Sequence, residues 1–456
     1  MMKKNAITPI AFQVAGDMTL FFLSLNLAYS FRSRLARIDT SLLDFTRTHP
    51  ALLVSILAIY LFSFYVFDLY NPKTESSSSQ LGAAVVGALL LSTAFIIIHF
   101  WLFPFRFGRS VFVLNILIVA LPFYVWRFII FHRILMQIPP KSIFLIGTPE
   151  EKTLLGSLLQ KRLDYKIAVF TKFGKNISDL SPADLGLAIE NAAQGNSVDL
   201  VVMNIDALRT KDIQAVLLRV RMRGIPIIDL SLFLEETMKK IPLSHITQHR
   251  FFRNDEFPGV KKDFSEKLKR SMDVVLSFIL ILASLPLSLL TAALIKLTSR
   301  GPVFFFQERL GRGENPYRLW KFRTMVPGAE IAGPQWADEA DARITRVGRI
   351  LRKIRLDELP QLVNVLKGEM SLVGPRPERE YFVRQLSAQI PFYELRFYVK
   401  PGITGWAQIN YRYGSSVEDA TEKLMYDLFY IKNRSIWLDF KILIKTLRVI
   451  SLGMGR

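Results

Sequence analysis

Two adjacent carboxylates, Asp357 and Glu358, follow Arg349, Arg352, Lys353 and Arg355 in the run from Gly348 to Gln361. Neighbouring carboxylates repel each other, and cations beside them keep them ionised and gather anionic substrates. An ionised carboxylate among cations, with a neighbour able to share a divalent metal, suits attack on a phosphoryl group. The same residue types also fit the end of a helix with a solvated face and intrahelical ion pairs.

Three further motifs carry cations. Gly368–Glu378 (GEMSLVGPRPE) holds Arg376 between two prolines, which restrict the backbone and aim a guanidinium fork suited to phosphate. Tyr317–Met325 (YRLWKFRTM) reads as an extended run with Lys321 and Arg323 two residues apart on one face. Lys400–Gln408 (KPGITGWAQ) reads as a rigid loop with an aromatic anchor. Each alone fits turn chemistry on a basic surface. Together they describe an acidic dyad with cationic clamps and phosphate-shaped loops.

The elements that position these residues are partly apolar. The 456 residues are 50% hydrophobic yet carry a net charge of +20, and the mean hydropathy is +0.26. Apolar blocks joined to basic blocks account for that combination, as in a membrane protein with an anion-handling domain. There is no cysteine, which excludes disulfides and thiolate chemistry, and the five histidines lack metal-ligand spacing. The basic residues surround apolar segments and the dyad, so nucleic-acid binding is not expected.

Four apolar stretches, Ala11–Phe31, Ala51–Tyr70, Leu81–Phe103 and Val111–Phe131, have spanning length and short connections, which predicts a four-helix transmembrane bundle over residues 1–140. The first is not a cleavable signal peptide, since no small-residue cleavage site follows it. Loop charges do not decide the orientation. Lys3, Lys4, Lys73, Arg133 and Lys141 lie on one side, against Arg32, Arg34, Arg37, Arg47, Arg106 and Arg109 on the other. Asp17 and Arg127, inside or at the edges of spans, are candidates for function or for interhelical pairing.

Residues 141–240 alternate β-rich runs (Ser142–Gly147, Lys166–Phe170, Asp199–Asn204, Ile225–Asp229) with helical ones (Glu150–Arg162, Pro182–Ala193, Lys211–Arg223), which predicts a small parallel α/β domain. Gly147-Thr-Pro-Glu-Glu lacks the glycines of a dinucleotide fingerprint, and its acidic pair would repel phosphate. A scaffolding or dimerising role is expected, with the chain forming a homodimer. Residues 241–263 read as a linker. Phe264–Arg270 is basic and amphipathic, and Met272–Leu297 is almost wholly apolar with Pro286 near its centre. That segment either spans with a kink or enters and returns as a hairpin. The C-terminal stretch Ile436–Leu452 fits an amphipathic helix lying on a membrane or packed on a core.

From about Lys267 to Arg456 the chain resembles the catalytic domain of the bacterial sugar transferases, the polyprenyl-phosphate hexose-1-phosphate transferases. The resemblance rests on KFRTM (Lys321–Met325), RLDELPQLVNVLKGEMSLVGPRPE (Arg355–Glu378) and KPGITGWAQIN (Lys400–Asn410), in the family's order. Residues 1–240 resemble the long form, with four membrane helices and a Rossmann-like domain. The resemblance implies that residues 264–456 form a re-entrant membrane hairpin, broken at Pro286, with a mainly α catalytic domain. Leu285 stands where family members often have serine, which removes any serine-assisted bend but keeps the proline break.

It further implies that Asp357 attacks the sugar-bearing phosphorus of a UDP-sugar, releasing UMP, and that undecaprenyl phosphate then takes the phospho-sugar. This step would initiate exopolysaccharide, capsule or O-antigen synthesis. Glu358, with Asp357, would bind Mg²⁺, and Arg376, Lys321 and Arg323 would bind phosphate. The expected location is the bacterial inner membrane, multi-pass, with the catalytic domain cytoplasmic. Two alternatives remain: a glycosyltransferase that moves only the sugar and releases UDP, or a non-catalytic membrane scaffold.

Overall fold

Four apolar helices lead the chain: α1 (Lys4–Ala36), α2 (Pro50–Val66), α3 (Ser78–Leu102) and α4 (Arg109–Ile129). The computed structural model describes residues 4–36, 47–70, 78–102, 109–129, 140–160, 165–172, 198–203, 211–243, 263–329, 341, 343–411, 414 and 416–451. The expected helix 182–193 and residues 244–262 of the expected linker 241–263 lie outside these residues, as do Lys3, Arg37, Lys73, Arg106 and Arg133. Two compact units emerge, Met1–Leu230 and Ser231–Arg456.

In the first unit the apolar helices pack through buried polar links. Asn115 of α4 accepts a hydrogen bond from Tyr60 of α2 (2.9 Å) and donates one to Ser24 of α1 (2.7 Å). Asp17 pairs with Arg127, and the Tyr70 hydroxyl donates to Asp17 at 2.7 Å. Both ionisable residues are therefore taken up by interhelical pairing, with Asp17 Oδ1 and Arg127 Nε left buried without a hydrogen-bond partner. By length and composition, Ala11–Arg34 and Leu81–Trp101 can cross a membrane, whereas Pro50–Val66 and Leu114–Ile129 are apolar but shorter.

The α/β part contains β1 (Lys141–Gly147), α5 (Pro149–Leu159), β2 (Tyr165–Lys172), β3 (Leu200–Met203), α6 (Lys211–Met222) and β4 (Ile227–Asp229). Its strands are all parallel, in the order β2-β1-β3-β4. The fully buried Ile143–Ile146 run explains the continuous apolar character of β1. Thr148 and Glu151 form a capping box at the start of α5. The acidic pair at that turn thus serves the helix end.

The second unit begins within α7 (Leu230–Met238). It continues with α8 (Asp263–Thr298), the antiparallel hairpin β5 (Phe304–Leu310) and β6 (Pro316–Phe322), and then α9 (Arg346–Lys353), α10 (Gln361–Lys367), β7 (Ser371–Val373), α11 (Glu380–Ser387), β8 (Gly402–Thr404), α12 (Trp406–Asn410), α13 (Val417–Lys432) and α14 (Ile436–Ser451). One core, including Leu319, Val365, Met370, Val373, Phe397, Trp406 and Leu428, joins the hairpin to the helices.

Helix α8 keeps Pro286 in its interior, and Ser265–Thr298 is long and apolar enough to cross a membrane. Its outer side chains stay exposed, Phe278 by 56% and Leu289 by 64%, as expected of a lipid-facing surface. Leu276 and Ile281 pack on the main core, while Ala292 and Ile295 pack with Phe322 and Leu351 on a second cluster. Leu359 belongs to both. At the start of α8, Lys269 donates to the Val373 carbonyl (3.1 Å) and to Asp439 of α14 (2.7 Å), and Asp273 accepts from the Leu372 backbone N–H at 3.1 Å. Helix α14 buries Asp439 and Ile442 yet leaves Trp437 and Phe440 exposed.

Candidate active site

Asp357 and Glu358 do not sit on the helix that carries the preceding cations. Helix α9 stops at Lys353, and the carboxylates occupy a separate 3₁₀ turn, Leu356–Glu358, ahead of α10. Arg355 makes the break, with φ +55° in the left-handed region that non-glycine residues seldom enter. Both carboxylate residues are buried, each only 7% exposed. A solvated helix face is therefore ruled out. Adjacent anions are not buried without compensation.

The compensation is uneven. Glu358 Oε1 lies 3.0 Å from Arg376 Nη2 and 3.7 Å from Lys321 Nζ, and its Oε2 lies 3.2 Å from Arg355 Nη1. Burial alone would favour the neutral acid, but Arg376, Lys321 and Arg355 hold the Glu358 carboxyl well below its ordinary range. Asp357 forms no side-chain hydrogen bond or ion pair among the described residues. Burial, reinforced by the Glu358 charge, pushes its carboxyl above the ordinary aspartate value. Burial likewise pushes the Lys321 ammonium down, while Glu358 pulls it back. The dyad is thus one anchored carboxylate beside one unclaimed carboxylate.

Arg376 is aimed by its backbone. After β7 the chain runs Gly374-Pro375-Arg376-Pro377 against the loop around β8. Gly374 N–H donates to Thr404 O (2.9 Å), and Gly402 N–H donates to Pro375 O (2.8 Å). A Cβ on Gly374 or Gly402 would collide with the opposing backbone, so both positions require glycine. Arg396 donates to the Arg376 carbonyl (3.0 Å), to Asp427 (3.0 Å) and to the Tyr393 hydroxyl (2.5 Å). This network lies within the core. Burial pushes Asp427 up to about 6 against the pull of Arg396, which stays a cation. On the hairpin, Arg309 donates to Pro377 O at 3.2 Å and pairs with Glu378 at 3.4 Å.

The structure therefore brings together Asp357, Glu358, Lys321 and Arg376. Arg323 goes elsewhere. Strand β6 ends at Phe322, so the two-residue alternation ends with it, and Arg323 donates to the Ser299 carbonyl (3.0 Å) and hydroxyl (2.7 Å). Arg352 is likewise directed to Thr324, its Nε 2.9 Å from the Thr324 hydroxyl. The supporting residues Arg309, Arg396 and Asp427 were not among those singled out in the sequence. Arg396, four residues before Lys400-Pro401-Gly402, offered the one local signal.

No group of three or more His, Cys, Asp or Glu side chains that could hold a metal occurs among the described residues. Mg²⁺ is commonly held by one or two carboxylates together with substrate phosphate oxygens and water, and of this pair Glu358 already has both oxygens engaged by cations. The unpartnered Asp357 carboxylate fits that role directly.

Residues 264–453 match the model of the family described as bacterial sugar transferase. Over 188 residues the chain is 50% identical to the UDP-N-acetylgalactosamine-undecaprenyl-phosphate N-acetylgalactosaminephosphotransferase of Aeromonas hydrophila, covering 41% of this chain and 44% of that relative. Over 192 residues it is 43% identical to the sugar transferase EpsL of Bacillus subtilis, covering 41% of this chain and 89% of the relative. This chain belongs to the bacterial sugar transferase family. A further relative, the UDP-glucose:undecaprenyl-phosphate glucose-1-phosphate transferase of Caulobacter vibrioides, is 45% identical over 183 residues, 39% of this chain and 67% of the relative. The match spans less than half the length of the Aeromonas relative. In this bacterial sugar transferase the matched region contains the whole dyad, the Pro-Arg-Pro loop and all of α8 but its first residue.

Proposed function

We propose that this chain transfers a hexose-1-phosphate from a UDP-sugar to undecaprenyl phosphate, releasing UMP. One observation carries the reading: Glu358 takes up three cations while Asp357, beside it, has no hydrogen-bond or ion-pair partner among the described residues. A buried carboxylate without a partner is poised as a nucleophile, and the neighbouring cations are placed where phosphate charge would develop. The names of the Aeromonas and Caulobacter relatives support the substrate classes.

Asp357 Oδ forms a bond to the sugar-bearing phosphorus as the bond to the bridging oxygen breaks, and that electron pair leaves on UMP. A phosphate oxygen of the lipid then attacks the same phosphorus and returns the carboxylate. Arg376, held by Arg396 and the Gly374 turn, and Lys321 face the diphosphate. Mg²⁺ would be held by Asp357 and Glu358, and when bound it neutralises developing phosphate charge.

Both halves of α8 pack on one unit through clusters sharing Leu359, with Pro286 between them. This supports a re-entrant segment, and the same proposal puts the catalytic unit on the cytoplasmic face of the inner membrane. Magnesium dependence, a homodimer, and a place at the start of exopolysaccharide, capsule or O-antigen synthesis belong to the same proposal.

The experiment is a panel of UDP-sugars incubated with purified protein, Mg²⁺ and undecaprenyl phosphate, with the nucleotide product identified. UMP is expected. UDP as the product would replace this mechanism with simple glycosyl transfer.

A further inference from the structure

Strand alternation places Arg318 and Trp320 on the face of β6 opposite Lys321. Next to that face a cavity of about 630 Å³ opens between the β5–β6 turn and the C-terminal end of α10. Arg312, Arg318, Lys367 and Lys400 contribute four cations to its lining, and Glu369 the single carboxylate. Neither the dyad nor Lys321 or Arg376 takes part.

Two of the cations are held by aromatic rings, and Arg312 pairs with Glu266 at 3.4 Å. Lys367 Nζ sits over the Trp320 ring at 4.8 Å, and the Arg318 guanidinium sits over Phe306 at 5.2 Å. These aromatic faces are therefore already covered, and they orient charge rather than offer a stacking platform for a base. Glu369 is committed to Asn364, 2.6 Å away. Behind the cavity, Arg270 caps α10 through the carbonyls of Val365 (2.5 Å) and Leu366 (2.7 Å). Burial, and then the like charges of Arg270 and Arg312, push the Lys400 ammonium below its ordinary value. Such crowding costs free energy that a bound anion would remove.

We infer that this cavity binds a phosphate-bearing anion at a position separate from the Asp357 centre. The inference does not depend on the proposed reaction, because binding alone reads it out. Two sources share the chemistry: a free phosphate or nucleotide, and the headgroup of an anionic phospholipid.

The test uses full-length protein. UMP and inorganic phosphate are titrated calorimetrically in uncharged detergent. Lipid retention is compared by native mass spectrometry after release from phosphatidylglycerol or phosphatidylcholine nanodiscs. Arg376→Ala serves as the background that removes anion binding at the dyad. There, Lys367→Gln/Lys400→Gln is expected to weaken the binding of one probe at least about tenfold, as two lost charge contacts would. Arg318→Gln, at an exposed position, should weaken it about threefold. Glu369→Gln, which keeps the acceptor for Asn364, should tighten it, and a merely structural role would not do so. Loss confined to UMP or phosphate identifies a soluble ligand, and loss confined to phosphatidylglycerol identifies a lipid. Unchanged affinity for all three probes in the double variant overturns the proposal. If the double variant does not fold, unchanged affinities in both Arg318→Gln and Glu369→Gln overturn it.

Discussion

Two buried carboxylate–arginine arrangements in the catalytic unit make opposite use of the same chemistry. Around Asp427 the charges balance: Arg396 meets one carboxylate, one hydroxyl and one carbonyl. Around Asp357 they do not balance, since three cations converge on Glu358 and its neighbour has no side-chain partner among the described residues. A balanced buried network holds structure in place, whereas an unbalanced one stores electrostatic potential for a substrate.

Replacing the unclaimed carboxylate should have the largest effect. Asp357→Asn is expected to reduce UMP release by at least about 10⁴-fold with little change in unfolding temperature, as nucleophile removal does. Persistent UMP release without lipid acceptor would show that Asp357 is not the nucleophile. The balanced network should behave in the reverse way. Asp427→Ala leaves Arg396 buried and unpaired, a loss of about 3–5 kcal/mol of stability readable by denaturant unfolding. Arg396→Met/Asp427→Leu should recover most of that stability. Turnover would stay reduced, because the Arg376 carbonyl has lost its donor. If the double variant turns over like wild type, the network does not position Arg376.

Arg376→Ala should lower kcat by about 10²–10³-fold, the range for removing one donor to developing charge. The smallest effect is a displacement along pH. Burial and the Glu358 charge both raise the Asp357 carboxyl, so activity should fail on acidification above the ordinary aspartate range. Glu358→Gln removes the second cause and should move the acid limb of kcat/KM to lower pH. An upward move would mean that the limb belongs to another group.

Much of the architecture is legible in the sequence because it is written in periodicity. Apolar runs of about 20 residues mark α1, α3 and α8, and β-rich runs anticipate all four parallel strands to within a few residues. The membership of Asp357, Glu358, Lys321 and Arg376 in one site follows from motif chemistry. The burial of the dyad does not, because it depends on the left-handed Arg355 and a 3₁₀ turn that local composition reads as helix. Arg323 turns to Ser299 instead, since the alternation assumed for it stops one residue earlier. The Arg396–Asp427 pair spans 31 positions, and no local pattern links residues that far apart.

The hydrogen bond from Lys269 to the Val373 carbonyl has a mechanical consequence. Val373 is the last residue before Gly374-Pro375-Arg376, and Lys269 rides on α8, which is long and apolar enough to cross a membrane. A thinner or thicker leaflet changes the tilt of that helix. The tether joins any tilt of α8 to the strand leading to Arg376.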